Sequence, residues 1–167
     1  MAQSHEKKAA AESRDAWLEK IQHAGVVGMG DGGFPTHVKL KATVDTVVAN
    51  GAECEPLLWA DKNLLLKWPD EVFDGIELAM DLTGAKRGVL AVKGKYGQVV
   101  SAVEKALSGR SEASRQRLEV ARLPNTYPTG DEFVLVQEVL GRTIPELGLP
   151  LHVGVVVSNV ASLRAVA

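Results

Sequence analysis

The chain has 167 residues, of which 46% are hydrophobic, 24% charged and 5% aromatic, and its formal net charge is −2. This length and composition are typical of one globular domain with a substantial buried core. The nearly balanced charge and the scarcity of aromatic residues argue against a nucleic-acid-binding surface, and no apolar run approaches the ~18 residues of a membrane-spanning helix.

Cysteine and histidine usage excludes several kinds of site. The single cysteine, Cys54, rules out an internal disulfide and an iron–sulfur cluster held by cysteines of this chain alone. The four histidines lack metal-ligand spacing, so we predict no metal site. Cys54 is either a nucleophile or a small buried residue, and the absence of a histidine beside it favours the second. The charged N-terminal segment lacks the apolar core of a signal peptide, which predicts a cytoplasmic protein.

Hydrophobic periodicity and turn residues predict helices that alternate with strands. Helices are expected over 10–24, 35–42, 57–67, 69–84, 96–109 and 130–141, and strands over 43–51, 88–93, 117–123 and 151–159. Residues 108–117 are the most loop-like segment. This alternation predicts an α/β fold, with a mostly parallel sheet flanked by helices on both faces. The apolar run VGVVV near the C-terminus suits a strand that is covered on both sides.

Four unusual segments lie at or near strand ends or turns: GMGDGG at 28–33, NGAECEP at 50–56, YPTGDE at 127–132 and VVSNV at 156–160. In open α/β sheets, ligands bind at the carboxyl ends of the strands. We therefore expect these four segments to converge at one edge of the sheet and to form a ligand site.

The glycine-rich segment precedes a helix start, and glycines with exposed N–H groups at such a start attract an anion, most often phosphate. The segment matches neither the Walker A loop nor the Rossmann fingerprint, and a flexible connector between two helices is an equal alternative. Asn50, Glu53 and Glu55 form either a set of ligand-binding groups or a solvated acidic turn. The GDE triplet at 130–132 is typical of a helix N-terminus, where acidic residues are favourable.

The four segments are similar, in order and spacing, to the flavin-binding domain of the NADH-binding subunit of respiratory complex I. The resemblance is stronger to two relatives of that subunit, the C subunit of the Rnf electron-transport complex and the cobalamin reductase of microcompartments. It covers residues 17–167 and implies a Rossmann-like FMN-binding domain. Residues 1–16 are then a polar N-terminal tail or helix.

By matching position, the resemblance implies which residues line an FMN site. Those close to the flavin are Gly28, Gly30, Gly32, Gly33, Asn50, Glu53, Gly130, Asp131 and Glu132. Phe34 is implied to stack on the nicotinamide or adenine of NADH, and Lys39 to neutralise the FMN phosphate or to hold the polar edge of the ring. Glu55 is implied to lie near the dinucleotide. Ser158 and Asn159 are implied to lie near the flavin phosphate or the ribityl chain.

The function that the resemblance implies is hydride transfer from NADH to FMN, followed by electron transfer to an iron–sulfur partner or complex subunit. No side chain need act as an acid or base in that transfer, because the cofactor supplies the chemistry. Localisation is then cytoplasmic, with association through partners with a membrane complex or a microcompartment. The ubiquitin-like and cluster-binding domains of relatives are not expected in this sequence.

Departures from the family pattern keep alternatives open. Asp31 and Gly32 stand where relatives have Gly and Ala, and SNVAS at 158–162 replaces NNVET. One alternative is a non-catalytic structural or assembly module with the same fold that has lost flavin binding. Another is a nucleotide-binding protein unrelated to redox chemistry, which ATP or GTP with magnesium would stabilise.

Overall fold

A four-stranded parallel sheet organises the chain, with the strand order β3-β2-β1-β4. The structure is a computed structural model that describes residues 13–30, 32–53, 55 and 57–167. The strands are β1 Thr46–Gly51, β2 Arg87–Lys93, β3 Leu118–Leu123 and β4 Val155–Asn159. All three strand pairings are parallel, which confirms the α/β class predicted from the alternation of helices and strands.

Eight α-helices and one 3-10 turn connect or flank these strands in the described part of the chain. The helices are α1 Arg14–His23, α2 Thr36–Lys39, α3 Ala60–Lys67, α4 Pro69–Thr83, α5 Gly97–Ser108, α6 Glu112–Arg117, α7 Glu132–Leu140 and α8 Val160–Val166. The 3-10 turn, Pro150–Val153, precedes β4. Among these helices, none combines the length and the apolar character that crossing a bilayer requires.

The order of the strands creates a reversal between β1 and β4. From β1 the chain moves outward through β2 to β3, and it then returns to place β4 on the other side of β1. Val47 and Ala49 of β1 share one core with Phe73 of α4, whereas Val48 shares a second core with Leu135 of α7. Helices therefore cover both faces, because a right-handed crossover that reverses direction also changes face.

Most predicted elements are confirmed, and two are corrected. Residues 108–117 were expected to be a loop, but α6 forms there because the Ser111 side chain caps it, accepting from the Ser114 N–H at 3.1 Å. The predicted strand over 151–159 starts only at Val155, since Pro150 begins a 3-10 turn that ends at Gly154 with φ +75°. Helix α8 was not predicted. The part of the predicted helix over 10–12 lies outside the described residues.

Helices α4 and α8 pack with their backbones in direct contact. Gly75, in the middle of α4, leaves no room for a side chain: a Cβ added there would lie 1.9 Å from the carbonyl oxygen of Leu163. Because the obstructing atom belongs to the backbone of α8, a side-chain rotation cannot relieve the clash. This contact fixes α8, which directly follows β4, against the sheet.

We expect Gly75→Ala to lower the free energy of unfolding by about 3 kcal/mol, since overpacking against a rigid backbone outweighs the better helix propensity of alanine. Chemical denaturation with urea measures the change. Gly97→Ala in α5 is the matched control, because a Cβ there meets nothing within 4 Å. The control should be neutral or stabilising, and equal stability of the two variants would contradict the packing argument.

Candidate functional site

Two asparagines mark the carboxyl edge of the sheet at the point where the strand order reverses. Asn50 of β1 and Asn159 of β4 are register partners in adjacent parallel strands. From β1 the chain continues toward β2, whereas β4 lies on the other side of β1, so the strand order changes direction between these two strands. Such a switch point is where open α/β folds bind ligands.

Asn50 joins the end of β1 to the turn before α7. Its Nδ2 donates to the carbonyl oxygen of Gly130 at 2.9 Å, and its Oδ1 accepts from the Ala52 N–H at 3.1 Å. Asp131 caps α7, since its Oδ1 accepts from the N–H groups of the second and third helical residues at 3.0 and 3.3 Å. The structure thus brings the NGAECEP and YPTGDE segments together, as the sequence predicted.

Asn159 joins the end of β4 to two further elements. Its Oδ1 caps α8 by accepting from the Ala161 N–H at 2.8 Å, and its Nδ2 donates to Oδ2 of Asp61, the second residue of α3, at 2.9 Å. The neighbouring Ser158 is buried in the strand. Both hydrogen-bonding ends of the Asn159 amide are therefore engaged by described groups.

The glycine loop is closed at its base and anchored to α8. Val27 and Pro35 form an isolated antiparallel bridge, and the Gly28 N–H donates to the Phe34 carbonyl at 2.8 Å. The Met29 N–H donates to the Ser162 hydroxyl at 2.8 Å. The described part of the loop is therefore closed at its base and anchored to α8.

The tip of the loop lies over Asn159 and presents glycines to open space. A Cβ on Gly30 would lie 3.0 Å from Nδ2 of Asn159, so the backbone rests directly on that amide. Gly32 and Gly33 have φ of +76° and +74°, which disfavours other residues, and a Cβ on either would meet nothing within 4 Å. The fourth segment, VVSNV, thus meets the first. Asp31 lies outside the described residues.

Two predicted ligand residues follow the loop. Phe34 is 48% exposed, so its ring is available to a stacking partner. Lys39 reaches toward β4, where its Nζ donates to the Val157 carbonyl at 3.0 Å, and it lies 6.0 Å from the centroid of the Phe34 ring. The ammonium group therefore has a backbone acceptor in the sheet, beside the position predicted to hold a phosphate.

Glu53 faces the start of α3. Its two carboxylate oxygens accept from the N–H groups of Ala60 at 2.9 Å and Lys62 at 3.3 Å. The buried Lys62 ammonium lies 3.7 Å from the Glu53 carboxylate, and it is 4.4 and 4.5 Å from the ring centroids of Trp59 and Tyr96. The carboxylate and the ammonium thus close the loop after β1, and cation–π contacts surround the charge.

Asp61, near the start of α3, has a raised pKa. Burial raises its pKa from 3.8 to about 6, and the Glu53 carboxylate adds to the increase, whereas the hydrogen bond from Asn159 and the charge of Lys62 act in the opposite direction. Carboxyl groups with strongly raised pKa values in a cleft are typical of functional sites. The sequence analysis did not single out Asp61.

The structure joins some of the predicted site residues by direct contacts. Gly30 of the loop meets Asn159, and Asn50 meets Gly130, while Glu132 begins α7 beside Asp131. Glu55 is exposed in the loop after β1, and Cys54 lies outside the described residues. Sequence reasoning missed Asp61, Lys62 and Ser162. The sequence signal for Asp61 is its position five residues after the NGAECEP segment.

A doubly wound sheet with a glycine loop over its switch point defines a class of mononucleotide-binding domains. Comparison with known proteins specifies the family. Residues 21–167 match the family described as the Nuo51 FMN-binding domain (Complex1_51K). The chain therefore belongs to the Nuo51 FMN-binding domain family, as the resemblance of its four segments predicted.

Curated relatives share substantial identity with this chain. Cobalamin reductase PduS of Citrobacter freundii is 42% identical over 145 residues, which cover 87% of this chain and 31% of the relative. The C subunit of the Na(+)-translocating ferredoxin:NAD(+) oxidoreductase complex of Acetobacterium woodii is 40% identical, with coverage of 92% and 34%. The chain therefore spans about a third of the length of these relatives.

A solved structure shares the fold. The air-oxidized NAD+-reducing [NiFe]-hydrogenase contains a chain that superposes with a TM-score of 0.74 at 28% identity, and the match covers 92% of this protein and 30% of that chain. The H2-reduced state of the same kind of hydrogenase gives a TM-score of 0.73 at 30% identity. The fold assignment from the sheet topology is thus supported by similar structures of redox proteins.

We expect Glu53→Ala to destabilise the protein by about 3 kcal/mol, because it removes the cap of α3 and leaves the Lys62 ammonium buried without its carboxylate. Urea denaturation measures the loss. Glu119→Ala is the matched control, since Glu119 pairs with Arg87 where both side chains are 46% exposed. The control should change stability by less than about 1 kcal/mol. Similar losses in the two variants would contradict a structural role for the buried pair.

We expect Asp61→Asn to stabilise the protein at neutral pH. A carboxyl group whose pKa is raised by folding holds its proton more tightly in the folded state, so its ionised form opposes folding above pH 6. Allowing for solvent screening, the gain at pH 7.5 is on the order of 1–2 kcal/mol. It should shrink as the pH falls from 6 toward 4, where both states of the wild-type carboxyl become protonated.

Urea titrations of both proteins at several pH values measure this difference. Asp81→Asn is a suitable control, because Asp81 pairs with Arg117 on the surface, where the two side chains are about half exposed. A pH-independent difference between wild type and Asp61→Asn would show that burial of the Asp61 charge does not oppose folding.

Proposed function

We propose that this protein binds FMN at the switch point between β1 and β4 and serves as the flavin domain of an NADH-oxidising electron-transfer protein. The observation that carries the proposal is the meeting of the glycine loop with Asn159 and of Asn50 with the turn at Gly130, at one edge of the sheet. Membership of the Nuo51 FMN-binding domain family supports the choice of cofactor.

The residues at this edge fit a flavin. Gly32 and Gly33 leave the loop backbone without side chains and with open space before it, which suits the close approach of a flat ring. Each amide of Asn50 and Asn159 has a second N–H beyond the one that the structure engages, and flavin carbonyl oxygens and ring nitrogens accept such donors. The donor set and the shape are thus those that a mononucleotide needs.

The charge around the edge would tune the redox chemistry. Asp61, Asp131 and Glu132 place carboxylates at the ends of β4 and β3, and negative charges near a flavin disfavour its anionic reduced form. We therefore propose a low reduction potential. Lys39, beside the loop, is the cation that we assign to the FMN phosphate or to the polar edge of the ring.

When bound, FMN supplies the ability to accept a hydride and to release electrons one at a time. The residues of the chain bind and orient the reactants: the exposed Phe34 ring would stack on the nicotinamide or adenine, and Glu55 would accept hydrogen bonds from the dinucleotide ribose. Gly28, Gly30 and Ser158 would line the flavin or its phosphate. Glu53 would act on the flavin through the loop that it fixes at α3. No side chain need transfer a proton.

The electron acceptor proposed for this domain is an iron–sulfur protein or complex subunit. One relative is named as a subunit of a Na(+)-translocating ferredoxin:NAD(+) oxidoreductase complex and another as a cobalamin reductase, which supports a redox partner of this kind. Association with a membrane complex or a microcompartment would then be indirect, through such partners. No cluster is proposed within this chain, because it has one cysteine.

We expect the purified protein to retain FMN, seen as absorption bands between about 350 and 500 nm, and to lose them when NADH is added without oxygen. Gly33→Ala should retain severalfold less FMN, since the new methyl group enters the space before the loop. Gly84→Ala is the matched control: its φ is also +76°, a Cβ there also meets nothing within 4 Å, and it ends α4. Both variants carry similar backbone strain.

A colourless protein whose melting temperature does not move with millimolar FMN would overturn the proposed function. It would favour the structural module that keeps the fold without flavin. Equal flavin content in Gly33→Ala and Gly84→Ala would contradict the position of the ring at the loop. Stabilisation by ATP or GTP with magnesium, but not by FMN, would point to a nucleotide-binding protein unrelated to redox chemistry.

A further inference from the structure

We propose that Asp61 is a positioning residue of the site, which fixes the orientation of the Asn159 amide and so supports the glycine loop. The inference rests on the proposed flavin site. Asp61 belongs to α3, whereas Asn159 ends β4, and the contact between them joins segments that are 98 residues apart in sequence. In this contact the Asn159 amide donates a hydrogen bond to the Asp61 carboxylate.

The amide of Asn159 has a definite orientation because its two ends have different partners. The oxygen accepts from the Ala161 N–H at 2.8 Å, and the nitrogen donates to Asp61 at 2.9 Å. A 180° flip would place two donors face to face at Ala161 and two acceptors face to face at Asp61. An ionised carboxylate accepts hydrogen bonds only, so it excludes the flipped amide.

The orientation of this amide matters to the glycine loop. Gly30 lies so close to Asn159 that an added Cβ would be 3.0 Å from Nδ2 and 3.1 Å from Cβ of the asparagine. The Asn159 side chain therefore sets how closely the loop backbone at Gly30 approaches the sheet. Ser162, near the start of α8, holds the adjacent Met29 N–H, so the same helix start supports the loop twice.

Charged groups around Asp61 come from the two segments beside it. Glu53 in the loop after β1 raises its pKa, and Lys62 on α3 lowers it, while burial makes the largest contribution and raises it. The Glu53–Lys62 pair keeps the start of α3 in place. An ionised Asp61 at neutral pH opposes folding, and a carboxylate retained against stability is typical of a residue with a function.

The first arm of the test measures flavin affinity. Riboflavin and FMN are titrated into wild type, Asp61→Ala and Asp61→Asn at pH values from about 5 to 8, with flavin fluorescence as the readout. Riboflavin has no phosphate, so its own ionisation does not intervene in this range. We expect Asp61→Ala to bind riboflavin about tenfold more weakly than wild type at pH 7.5, because Asn159 loses its acceptor.

Asp61→Asn carries a donor as well as an acceptor, like the protonated carboxyl, so it also admits both orientations of Asn159. At pH 7.5 it should therefore bind riboflavin severalfold more weakly than wild type. The pH profile separates positioning from simple folding effects. Wild-type affinity for riboflavin should fall as the pH is lowered through about 6, where Asp61 becomes protonated and admits both orientations of Asn159. The affinity of Asp61→Asn should stay flat over the same range.

The second arm needs no flavin. In the 15N-labelled wild-type chain, the side-chain amide signals of Asn159 should shift with a midpoint near pH 6, and in Asp61→Asn they should not. The side-chain amide of Asn50 is the internal control, because it donates to the Gly130 carbonyl rather than to a carboxylate. It should show no such transition in either protein.

The outcomes distinguish this inference from the proposed function. An Asn159 amide that does not titrate, an Asp61→Ala variant that binds flavin like wild type, or identical pH profiles for wild type and Asp61→Asn would each overturn the role of Asp61. If wild type binds neither flavin, the proposed function fails, and the positioning of a flavin site fails with it. If wild type binds flavin but the Asn159 amide signals do not shift with pH, only the role of Asp61 would be overturned.

Discussion

The site depends on the pairing of β1 with β4, because this pairing sets the two asparagines side by side at the carboxyl edge. A parallel register fixes both strand ends, and the reversal of strand order at this pair makes its carboxyl edge the expected ligand position of an open α/β sheet. Each asparagine then hydrogen-bonds to neighbouring segments: Asn50 to the turn before α7, and Asn159 to α3 and α8. Four loops are thereby positioned by one strand pair, and the absence of a side chain at Gly75 lets α8 pack directly on α4.

The electrostatics of the edge combine one compensated buried charge with one that opposes folding. The Lys62 ammonium is buried with one carboxylate and two aromatic rings, which compensates its desolvation. Asp61, next to it in sequence, has a raised pKa because burial and Glu53 outweigh the groups that favour its charge. The two adjacent residues of α3 thus differ in how well their charges are compensated. The Lys62 charge is compensated and stabilises the loop after β1, whereas the Asp61 charge is only partly compensated.

Sequence patterns were sufficient for the sheet and for the expectation that the four segments lie at one edge of it. Alternating apolar runs and glycine stops located all four strands, and the rule that ligands bind at carboxyl ends predicted that the four segments converge. The polar helix α6 was missed because its sequence, EASRQR, has no apolar stripe, and a single serine cap marks its start. Asp61 and Ser162 were missed for a different reason: their importance lies in partners 98 and 133 residues away, which no local pattern reveals.

The anchoring of the glycine loop by Ser162 has a consequence for how the site forms. Residues 27–29 lie near the beginning of the described chain, yet their hydrogen-bond partner lies in the last helix. During synthesis the loop emerges early and stays without this support until nearly the whole domain has been made. Contacts of such sequence separation form late, since their loop closure must be compensated by structure already present. Competence to bind a ligand at this edge would therefore report on completed folding of the domain rather than on any fragment of it.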